Sequence, residues 1–387
     1  MRRLAALAST AVLTAGALTA CSDDGSDEPG KTVSSPTPSD TASPTTTPSA
    51  SESTSEDPNT TPPEVVDTIA TGLAAPWGIG FLPNGDAVVT ERDTTKVLLL
   101  TSPSYDVSEV GTIADAVGMG DLGGEAGLLG VAVSPEFESD SMLFFYYSTD
   151  TENRIAKATL EDGRLGTPTT ILDGIPHGQI HDCGRLAFGP DGYLYASTGE
   201  TGNGELAQDE DTTAGKILRI TTDGEAAPGN PIEGNPLWSY GHRNVQGLAF
   251  DDRDRLWASE FGQNAFDELN LITDGANYGW PMVEGMGSGD SSLEDPQLVW
   301  DTDEASPSGL AWLDGNLWMA SLRGERLWRV DVTGKRAEDP TAFLVGEYGR
   351  MRTVAAAPDG RLWVTTSNTD GRGDPASEDD RILLIEP

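Results

Sequence analysis

The sequence predicts an all-β protein folded as a six-bladed β-propeller, and three observations support this fold class. The chain of 387 residues contains 45 Gly, 25 Pro and nine Trp, a composition that favours many short strands joined by tight turns. A strand-rich unit recurs six times after Val65 at intervals of about 45 to 60 residues, the size of a propeller blade with variable loops. A further strand-like segment precedes the first unit and can close the ring.

Each repeat consists of an apolar strand, a Pro/Asp/Gly turn, a second strand with an aromatic or branched residue, and a polar turn before a third strand. The turn residues supply the backbone geometries of hairpins, and the flanking runs alternate between apolar and polar positions. The six copies begin at Gly78, Gly130, Arg185, Gly247, Gly309 and Val354. A pair of β-sandwiches is the alternative, and it leaves the sixfold repetition unexplained.

The two ends of the repeat region are predicted to meet in one blade. The segment VVDTIATGL begins at Val65, and RILLIEP forms the C-terminal end. Because an open ring would expose unpaired backbone groups at its edges, pairing of these two segments is the expected closure. Polar residues at equivalent ends of several blades would then meet around a central funnel.

The first 63 residues indicate export. Basic residues at positions 2 and 3 precede an apolar run from Leu4 to Leu18, and Leu-Thr-Ala-Cys at 18–21 resembles the lipobox of bacterial lipoproteins. We expect residues 1–21 to be a lipoprotein signal peptide with Cys21 as the lipidation site, which places the protein outside the cytoplasm on a lipid anchor. The alternatives are an ordinary secretory signal cut near Ala20, or a membrane span, for which the run is short. Residues 22–63 are predicted to be a disordered Ser/Thr/Pro/acidic linker, and 64–387 the propeller domain.

The charge balance limits the possible partners. The chain has 63 acidic and 24 basic residues and a net charge of -39, which argues against nucleic acid because its phosphates would be repelled. Such an acidic protein is compatible with calcium. The second of the two cysteines is Cys183, so no disulfide can form within the mature chain.

His181 and four arginines are the side chains most suited to chemistry in the funnel. Histidine transfers protons near neutral pH, so His181 is a candidate general base, with a purely structural role as the alternative. Four arginines that recur near blade ends would form a cationic pocket for a polyanionic small ligand if they converge: Arg243, Arg323, Arg350 and Arg352. Local pairing with the abundant carboxylates is the alternative.

Other catalytic motifs are missing from the sequence. No nucleophile elbow and no GxGxxG loop opening a helix occurs, so a hydrolase triad and a dinucleotide site have no support. The turns around Glu268 offer oxygen ligands only, which suit calcium better than zinc or copper.

Five motifs, taken in order, resemble the soluble quinoprotein sugar dehydrogenases of the glucose/sorbosone dehydrogenase family. They are GGEAGLLGVAVSPEF, HDCGRLAFGPDGYLYASTGE, AGKILRI, GHRNVQGLAF and DELNLITDGANYGWP, and the resemblance runs from about Pro76 to the C-terminal end. The resemblance implies a six-bladed propeller that uses pyrroloquinoline quinone and calcium.

The resemblance also implies roles for individual residues. His181 falls on the general base that takes the proton of the sugar's anomeric hydroxyl. Arg243 and Asn244 fall on residues that hold the quinone side of the cofactor, with Arg243 next to the reaction. The basic residues near the cofactor carboxylates correspond to Arg323, Arg350 and Arg352.

The metal positions follow from the same resemblance. The carbonyl groups of Gly262 and Gln263 fall on calcium ligands at the cofactor, where the metal acts as a Lewis acid. Glu268 and the Tyr278 carbonyl fall on a second, structural calcium site.

Several positions depart from the family pattern. Glu125 stands where some members carry Gln, and Glu200 replaces the Asp that supports the catalytic histidine, so both belong to the expected catalytic group. Arg323 replaces a Lys, and Phe261 stands where some members offer Gln beside calcium. The acidic residue that some members place late in the last blade appears here as Ser367 or a neighbour.

The expected function is oxidation of the C1 hydroxyl of an aldose to the lactone, with an electron acceptor that the sequence does not identify. Two alternatives remain open from the sequence: a calcium-dependent lactonase, whose metal would need several side-chain carboxylates at the funnel, and a non-catalytic propeller that binds a sugar or a protein.

Overall fold

The computed structural model describes residues 61–118 and 124–387. The predicted signal peptide, the lipidation site Cys21 and all but the last residues of the predicted linker lie outside them. Within the described residues, 25 strands form six antiparallel sheets arranged as the blades of a propeller, so the predicted fold class is confirmed. The same residues contain no helix long and apolar enough to cross a membrane.

The first three blades follow one another along the chain. Blade 1 contains β2 (Pro76–Phe81), β3 (Ala87–Glu91), β4 (Lys96–Thr101) and β5 (Asp106–Thr112). Blade 2 contains β6 (Leu128–Val133), β7 (Met142–Ser148), β8 (Asn153–Glu161) and β10 (Thr169–Ile175), with the short β9 (Arg164–Leu165) paired to β8. Blade 3 contains β11 (Leu186–Phe188), β12 (Leu194–Thr198), β13 (Lys216–Ile220) and β14 (Leu237–Tyr240).

The last three blades complete the ring. Blade 4 contains β15 (Val245–Phe250), β16 (Leu256–Glu260), β17 (Phe266–Ile272) and β18 (Leu298–Asp301). Blade 5 contains β19 (Pro307–Leu313), β20 (Asn316–Ser321), β21 (Arg326–Thr333) and β22 (Arg336–Phe343). Blade 6 contains β23 (Met351–Ala356), β24 (Leu362–Thr366), β25 (Ile382–Glu386) and β1 (Glu64–Ala70). A short helix α1 (Phe137–Asp140) and a 3-10 helix (Gly204–Gln208) lie in loops.

Blade 6 is made from both ends of the repeat region, as the sequence predicts. Strand β1 pairs antiparallel with β25, with Val65 opposite Ile385 and Thr68 opposite Leu383. This pairing satisfies the backbone groups of β25 and leaves no break in the ring.

Buried tryptophans on the second strands join neighbouring blades. Trp257, Trp318 and Trp363 are each at most 2 % exposed. Trp257 packs into the core between blades 4 and 5, Trp318 into that between blades 5 and 6, and Trp363 into that between blades 6 and 1. These large side chains explain the aromatic position of the repeat, because each fills the space between two sheets.

Blades 1 to 5 each have a fourth strand that the three-strand repeat did not include, whereas the fourth strand of blade 6 is the predicted β1. The outer strands of blades 1, 2 and 5, which are β5, β10 and β22, are largely exposed. Since solvent-facing positions place weak demands on side chains, the fourth strands carry no shared apolar pattern and the repeat does not reveal them.

Candidate functional site

Two adjoining cavities lie at the end of the propeller where the second strands of the blades finish. The first, of about 360 Å³, is here called the arginine cavity; its walls include Arg92, Glu125, Arg323, Arg350, Arg352 and Arg372. The second, of about 550 Å³, is called the histidine cavity; its walls include His181, Glu200, Arg243, Gln263, Trp280 and Glu284. The cavities meet at Glu125, because its Oε2 accepts a hydrogen bond from the backbone N–H of His181 at 2.8 Å.

His181 and Glu200 form a buried pair on the wall of the histidine cavity. Nδ1 of His181 hydrogen-bonds to Oε1 of Glu200, and both side chains are at most 10 % exposed. An ionised carboxylate accepts hydrogen bonds only, so this contact places the imidazole proton on Nδ1. Nε2 has no hydrogen-bond partner in the described part of the chain. The pair therefore presents an unprotonated ring nitrogen to the cavity, as a general base requires.

The backbone around His181 is held in an unusual conformation. His181 has φ 61° and Cys183 has φ 55°, the left-handed region that non-glycine residues avoid. A Cβ atom on Gly199 would lie 1.6 Å from the His181 carbonyl oxygen, so only glycine allows the Glu200 segment to approach this closely. Such local strain is typical of functional sites, and here it fixes the position of the histidine.

The other two histidines have their ring nitrogens engaged differently. His242 is fully buried, with Nδ1 bonded to Glu260 at 2.9 Å and Nε2 to Ser239 at 2.8 Å. Nδ1 of His177 contacts Asp182 at 3.0 Å, and this hydrogen bond raises the His177 pKa against the opposing effect of burial. His242 is thus a structural residue and His177 does not line the histidine cavity, so His181 is the histidine placed for proton transfer there.

Arg243 lies on the histidine cavity rather than with the other predicted arginines. Its backbone N–H donates to Glu260 and its Nη1 donates to the Phe261 carbonyl at 3.1 Å. The guanidinium lies 5.4 Å from the Trp280 ring centre, and its buried Nε has no partner among the described residues. Burial lowers the pKa of Arg243. A buried donor without a partner is suited to a polar ligand group.

The adjacent Asn244 is buried and contacts Cys183, which lines the arginine cavity. Its Oδ1 accepts a hydrogen bond from the Cys183 thiol at 3.2 Å. Burial, followed by the charge of Glu260, raises the pKa of Cys183, so this thiol is a poor nucleophile. Cys183 is thus a buried free cysteine without a part in the chemistry of the site.

The arginine cavity concentrates positive charge. Arg350 and Arg352 both contact Oδ2 of Asp370, at 3.2 and 3.3 Å. Ser367 donates to the same oxygen at 3.1 Å, so an acidic side chain, that of Asp370, lies beside Ser367. Arg323 is exposed and makes no hydrogen bond or ion pair with any described residue. Both alternatives for the predicted arginines, convergence and local pairing, are thus seen. Arg323, Arg350 and Arg352 line one cavity, and the last two also pair with one carboxylate.

Three arginines of this region were missed by the sequence analysis. Arg372 reaches across from blade 6 to Oε1 of Glu125 at 3.2 Å, and Arg92 follows β3. Arg185 is buried below the cavity, 4.1 Å from the Trp77 ring centre, where burial and the charge of Arg352 lower its pKa to about 9. The sequence did contain a signal for Arg92, because this residue follows the second strand of its blade, β3, just as Arg323 follows β20.

The balance of charges favours an anionic ligand. Five arginines line the arginine cavity, against three carboxylates: Glu125 on its wall, Asp370 behind it, and Asp93, which pairs with Arg92 at 2.7 Å. Burial, followed by the charge of Arg92, lowers the pKa of Arg352 to about 10. Buried cations without enough counter-ions are costly, and a polycarboxylate would relieve that cost.

A turn between β16 and β17 wraps its backbone around the Glu284 carboxylate. Oε1 of Glu284 accepts four backbone hydrogen bonds, from the N–H groups of residues 263, 264, 265 and 266 at 2.6, 3.0, 2.9 and 3.2 Å. Burial alone would raise the pKa of Glu284, but these donors outweigh it and lower the pKa. Trans peptide units hold C=O opposite to N–H, so the carbonyl oxygens of residues 262–265 point away from Glu284. They include Gly262 and Gln263, the predicted calcium ligands.

The second predicted metal position lies behind this turn. Glu268 and Tyr278 line the same small cavity of about 10 Å³, which is close to the size of one water molecule. Glu268 accepts a hydrogen bond from Gly285 N–H at 2.7 Å, and burial and the charge of Glu260 raise its pKa to about 8. The nearby Asn270 has a buried Oδ1 without a partner in the described part of the chain.

Neither position is a cluster of acidic side chains. The described residues contain no group of three or more His, Cys, Asp or Glu side chains that could hold a metal ion. A cation at the first place would therefore depend on backbone carbonyl oxygens, and one at the second place on the Glu268 carboxylate together with carbonyl and amide oxygens, which are ligands that calcium accepts.

Comparison with known proteins places the chain in a family. The sequence profile for "Glucose / Sorbosone dehydrogenase" matches residues 73–383. The chain belongs to the glucose/sorbosone dehydrogenase family. The resemblance drawn from the five motifs is thereby confirmed.

Several relatives of this chain are named as sugar dehydrogenases. Aldose sugar dehydrogenase YliI of Escherichia coli is 28% identical over 347 residues, covering 79% of this chain and 91% of the relative. The solved structure of the PQQ-bound form of aldose sugar dehydrogenase from Streptomyces coelicolor is 52% identical, with a TM-score of 0.81, and covers 84% of this chain and 97% of that one. A Thermus thermophilus structure described as a putative oxidoreductase (glucose dehydrogenase) is 38% identical, with a TM-score of 0.77, over 83% and 99% of the two chains.

Proposed function

We propose that the protein is a quinoprotein aldose dehydrogenase that oxidises the C1 hydroxyl of a sugar to the lactone, with pyrroloquinoline quinone and calcium as cofactors. The observation that carries this proposal is the His181–Glu200 pair, whose free Nε2 faces a cavity that adjoins an arginine-lined one. The 52% identity to a PQQ-bound aldose sugar dehydrogenase supports the same function.

The residues present fit a quinone with several carboxylates. Arg323, Arg350 and Arg352 would hold the carboxylates by charge-assisted hydrogen bonds. Arg243, with its unpartnered Nε, and Asn244 would hold the quinone side. When bound, the quinone accepts a hydride from the sugar, and calcium polarises a quinone oxygen.

The chain's own contribution to the reaction is control of one proton. Nε2 of His181 removes the proton from the anomeric hydroxyl while the hydride leaves C1. Glu200 keeps the other proton on Nδ1 and stabilises the imidazolium that forms. Glu125 fixes the loop by accepting the hydrogen bond from the His181 backbone N–H, so the ring does not drift from the hydroxyl.

Calcium would bind at the turn of residues 262–265, and Glu284 is the residue that shapes this turn. We predict that Glu284→Gln weakens calcium binding by about tenfold, because a neutral amide is a poorer acceptor for four N–H groups and the carbonyls lose their fixed orientation. Isothermal titration of the quinone-free protein with calcium measures the effect.

Glu205→Gln is the matched control for this prediction. Glu205 lines the same cavity and is exposed, so its substitution removes the same charge without touching the turn. Equal calcium affinities for Glu284→Gln and the wild-type protein would show that the carboxylate does not organise the site.

The walls of the cavities favour a dehydrogenase over the two alternatives. A lactonase would hold its metal with several carboxylates, whereas the funnel here is lined by five arginines. A non-catalytic propeller has no need of the strained loop that exposes Nε2 of His181. Export and attachment to the membrane through Cys21 stay predictions from the sequence.

Reconstitution tests the function directly. Adding calcium and pyrroloquinoline quinone to the apoprotein should produce the absorbance of a bound quinone, and an aldose should bleach it with formation of one lactone per quinone reduced. Failure to bind the quinone would support the non-catalytic alternative. Hydrolysis of a lactone without any quinone would support the lactonase.

A further inference from the structure

Large apolar side chains are exposed at the mouth of the histidine cavity. They are Ile180, Phe266, Met282 and Met286, with exposed fractions of 39, 36, 62 and 52%, and together they are called the apolar rim. Ile180 and Met282 line the cavity itself. Phe266 ends the turn held by Glu284 and lies against Gly285, next to Met286.

The apolar rim contains half of the large apolar side chains that are exposed in the described part of the chain. The others are Val66, Val107, Ile232 and Val345. Exposed apolar patches mark interaction sites, and methionine adapts its shape to different partners. The concentration at one cavity mouth therefore indicates a surface that contacts another molecule.

The loops around the apolar rim carry negative charge only. Residues 201–215 contain four Asp or Glu, all exposed, and residues 282–305 contain seven, of which six are exposed; neither stretch contains Lys or Arg. The basic residues near the site, among them Arg243 and Arg350, lie on the cavity walls. The interior is thus suited to an anion and the surrounding surface to a cation.

We propose that the apolar rim is the docking surface for a positively charged one-electron carrier protein, which reoxidises the enzyme. The inference rests on the proposed function, because it needs a reduced cofactor below the apolar rim. Oxidation of one aldose to its lactone releases two electrons and two protons. Two carrier molecules are therefore reduced in each turnover, and the two protons pass to solvent.

The composition of the surface matches a transient redox contact. An apolar centre with a charged surround gives a small interface that forms and separates quickly. Opposite charges guide the encounter and lose their effect as salt is added. A neutral sugar would gain nothing from the acidic loops, so the charge pattern favours the protein partner.

Met286→Lys tests the docking surface with defined acceptors. The reconstituted full chain is supplied with an aldose and either basic mitochondrial cytochrome c or uncharged benzoquinone. We expect the substitution to lower the second-order rate of cytochrome c reduction by about fivefold and to leave benzoquinone reduction unchanged. Raising the NaCl concentration should slow the reduction of cytochrome c by the wild-type enzyme but not its reduction of benzoquinone.

Val345→Lys is the matched control, because Val345 is also 52% exposed and the charge change is the same. It should reduce cytochrome c at the wild-type rate. The proposal is overturned if the wild-type enzyme reduces benzoquinone but not cytochrome c, or if both Lys variants behave alike. Absence of sugar-dependent benzoquinone reduction would instead contradict the proposed function.

Discussion

His181→Ala should lower the turnover number for aldose oxidation by about a thousandfold and leave the dissociation constant of the quinone close to that of the wild-type protein. The substitution removes Nε2, the nitrogen that takes the hydroxyl proton, but none of the arginines that face the cofactor carboxylates. Steady-state rates with benzoquinone as acceptor, together with the absorbance of the bound quinone, separate the two effects. Added imidazole should restore part of the activity, since it can occupy the space left by the ring.

His177→Gln is the control for this experiment. His177 belongs to the same loop, but its Nδ1 contacts Asp182 rather than Glu200, so activity should stay within about threefold of wild type. If His181→Ala kept full activity, His181 would not be the general base. A variant that no longer binds quinone would assign the residue to cofactor binding instead.

Arg323→Gln should weaken pyrroloquinoline quinone binding by about tenfold, the second large effect that we expect. The guanidinium is exposed on the arginine cavity wall and makes no hydrogen bond or ion pair with any described residue. Its loss therefore leaves the contacts within the protein unchanged and removes one positive charge that would bind a carboxylate of the ligand. Titration of the calcium-loaded protein with quinone gives the dissociation constant.

Two further variants make the interpretation of Arg323 specific. Arg323→Lys keeps the charge and should retain most of the affinity, with some loss because ammonium cannot bind a carboxylate through two parallel hydrogen bonds. Arg253→Gln removes an equally basic but distant surface residue, whose side chain is 61% exposed, and should have no effect. Wild-type affinity in Arg323→Gln would mean that the cofactor carboxylates lie elsewhere. The midpoint of thermal unfolding without quinone should be the same in all three.

The contact of His181 with Glu200 could be predicted from the sequence because the two residues are close in the chain. Both residues belong to one hairpin, in which Leu186 of β11 pairs with Ala196 of β12. Hairpin pairing brings the residue before the first strand next to the one after the second. The motif HDCGRLAFGPDGYLYASTGE thus contains the whole pair, and its register follows from the turn.

Glu284 could not be identified in this way. It lies in the loop between β17 and β18, and its carboxylate reaches a turn about twenty residues earlier through backbone N–H groups. Backbone groups have no signature in a sequence, and loops have no periodicity that fixes where a side chain ends. The same holds for Arg372 and Glu125, which are 247 residues apart in the chain and meet only across the cavity mouth.

The sequence by itself determined the propeller, the number of blades, their closure by the two ends, and the segment that carries the histidine, because hairpin turns and alternating strands are short-range patterns. The tertiary structure alone decided that Arg323, Arg350 and Arg352 share a cavity with Arg92 and Arg372, while Arg243 faces the neighbouring one. It also decided that acidic loops and exposed methionines surround the histidine cavity. These features depend on how six blades are placed around one axis, and that placement brings together residues that no local pattern connects.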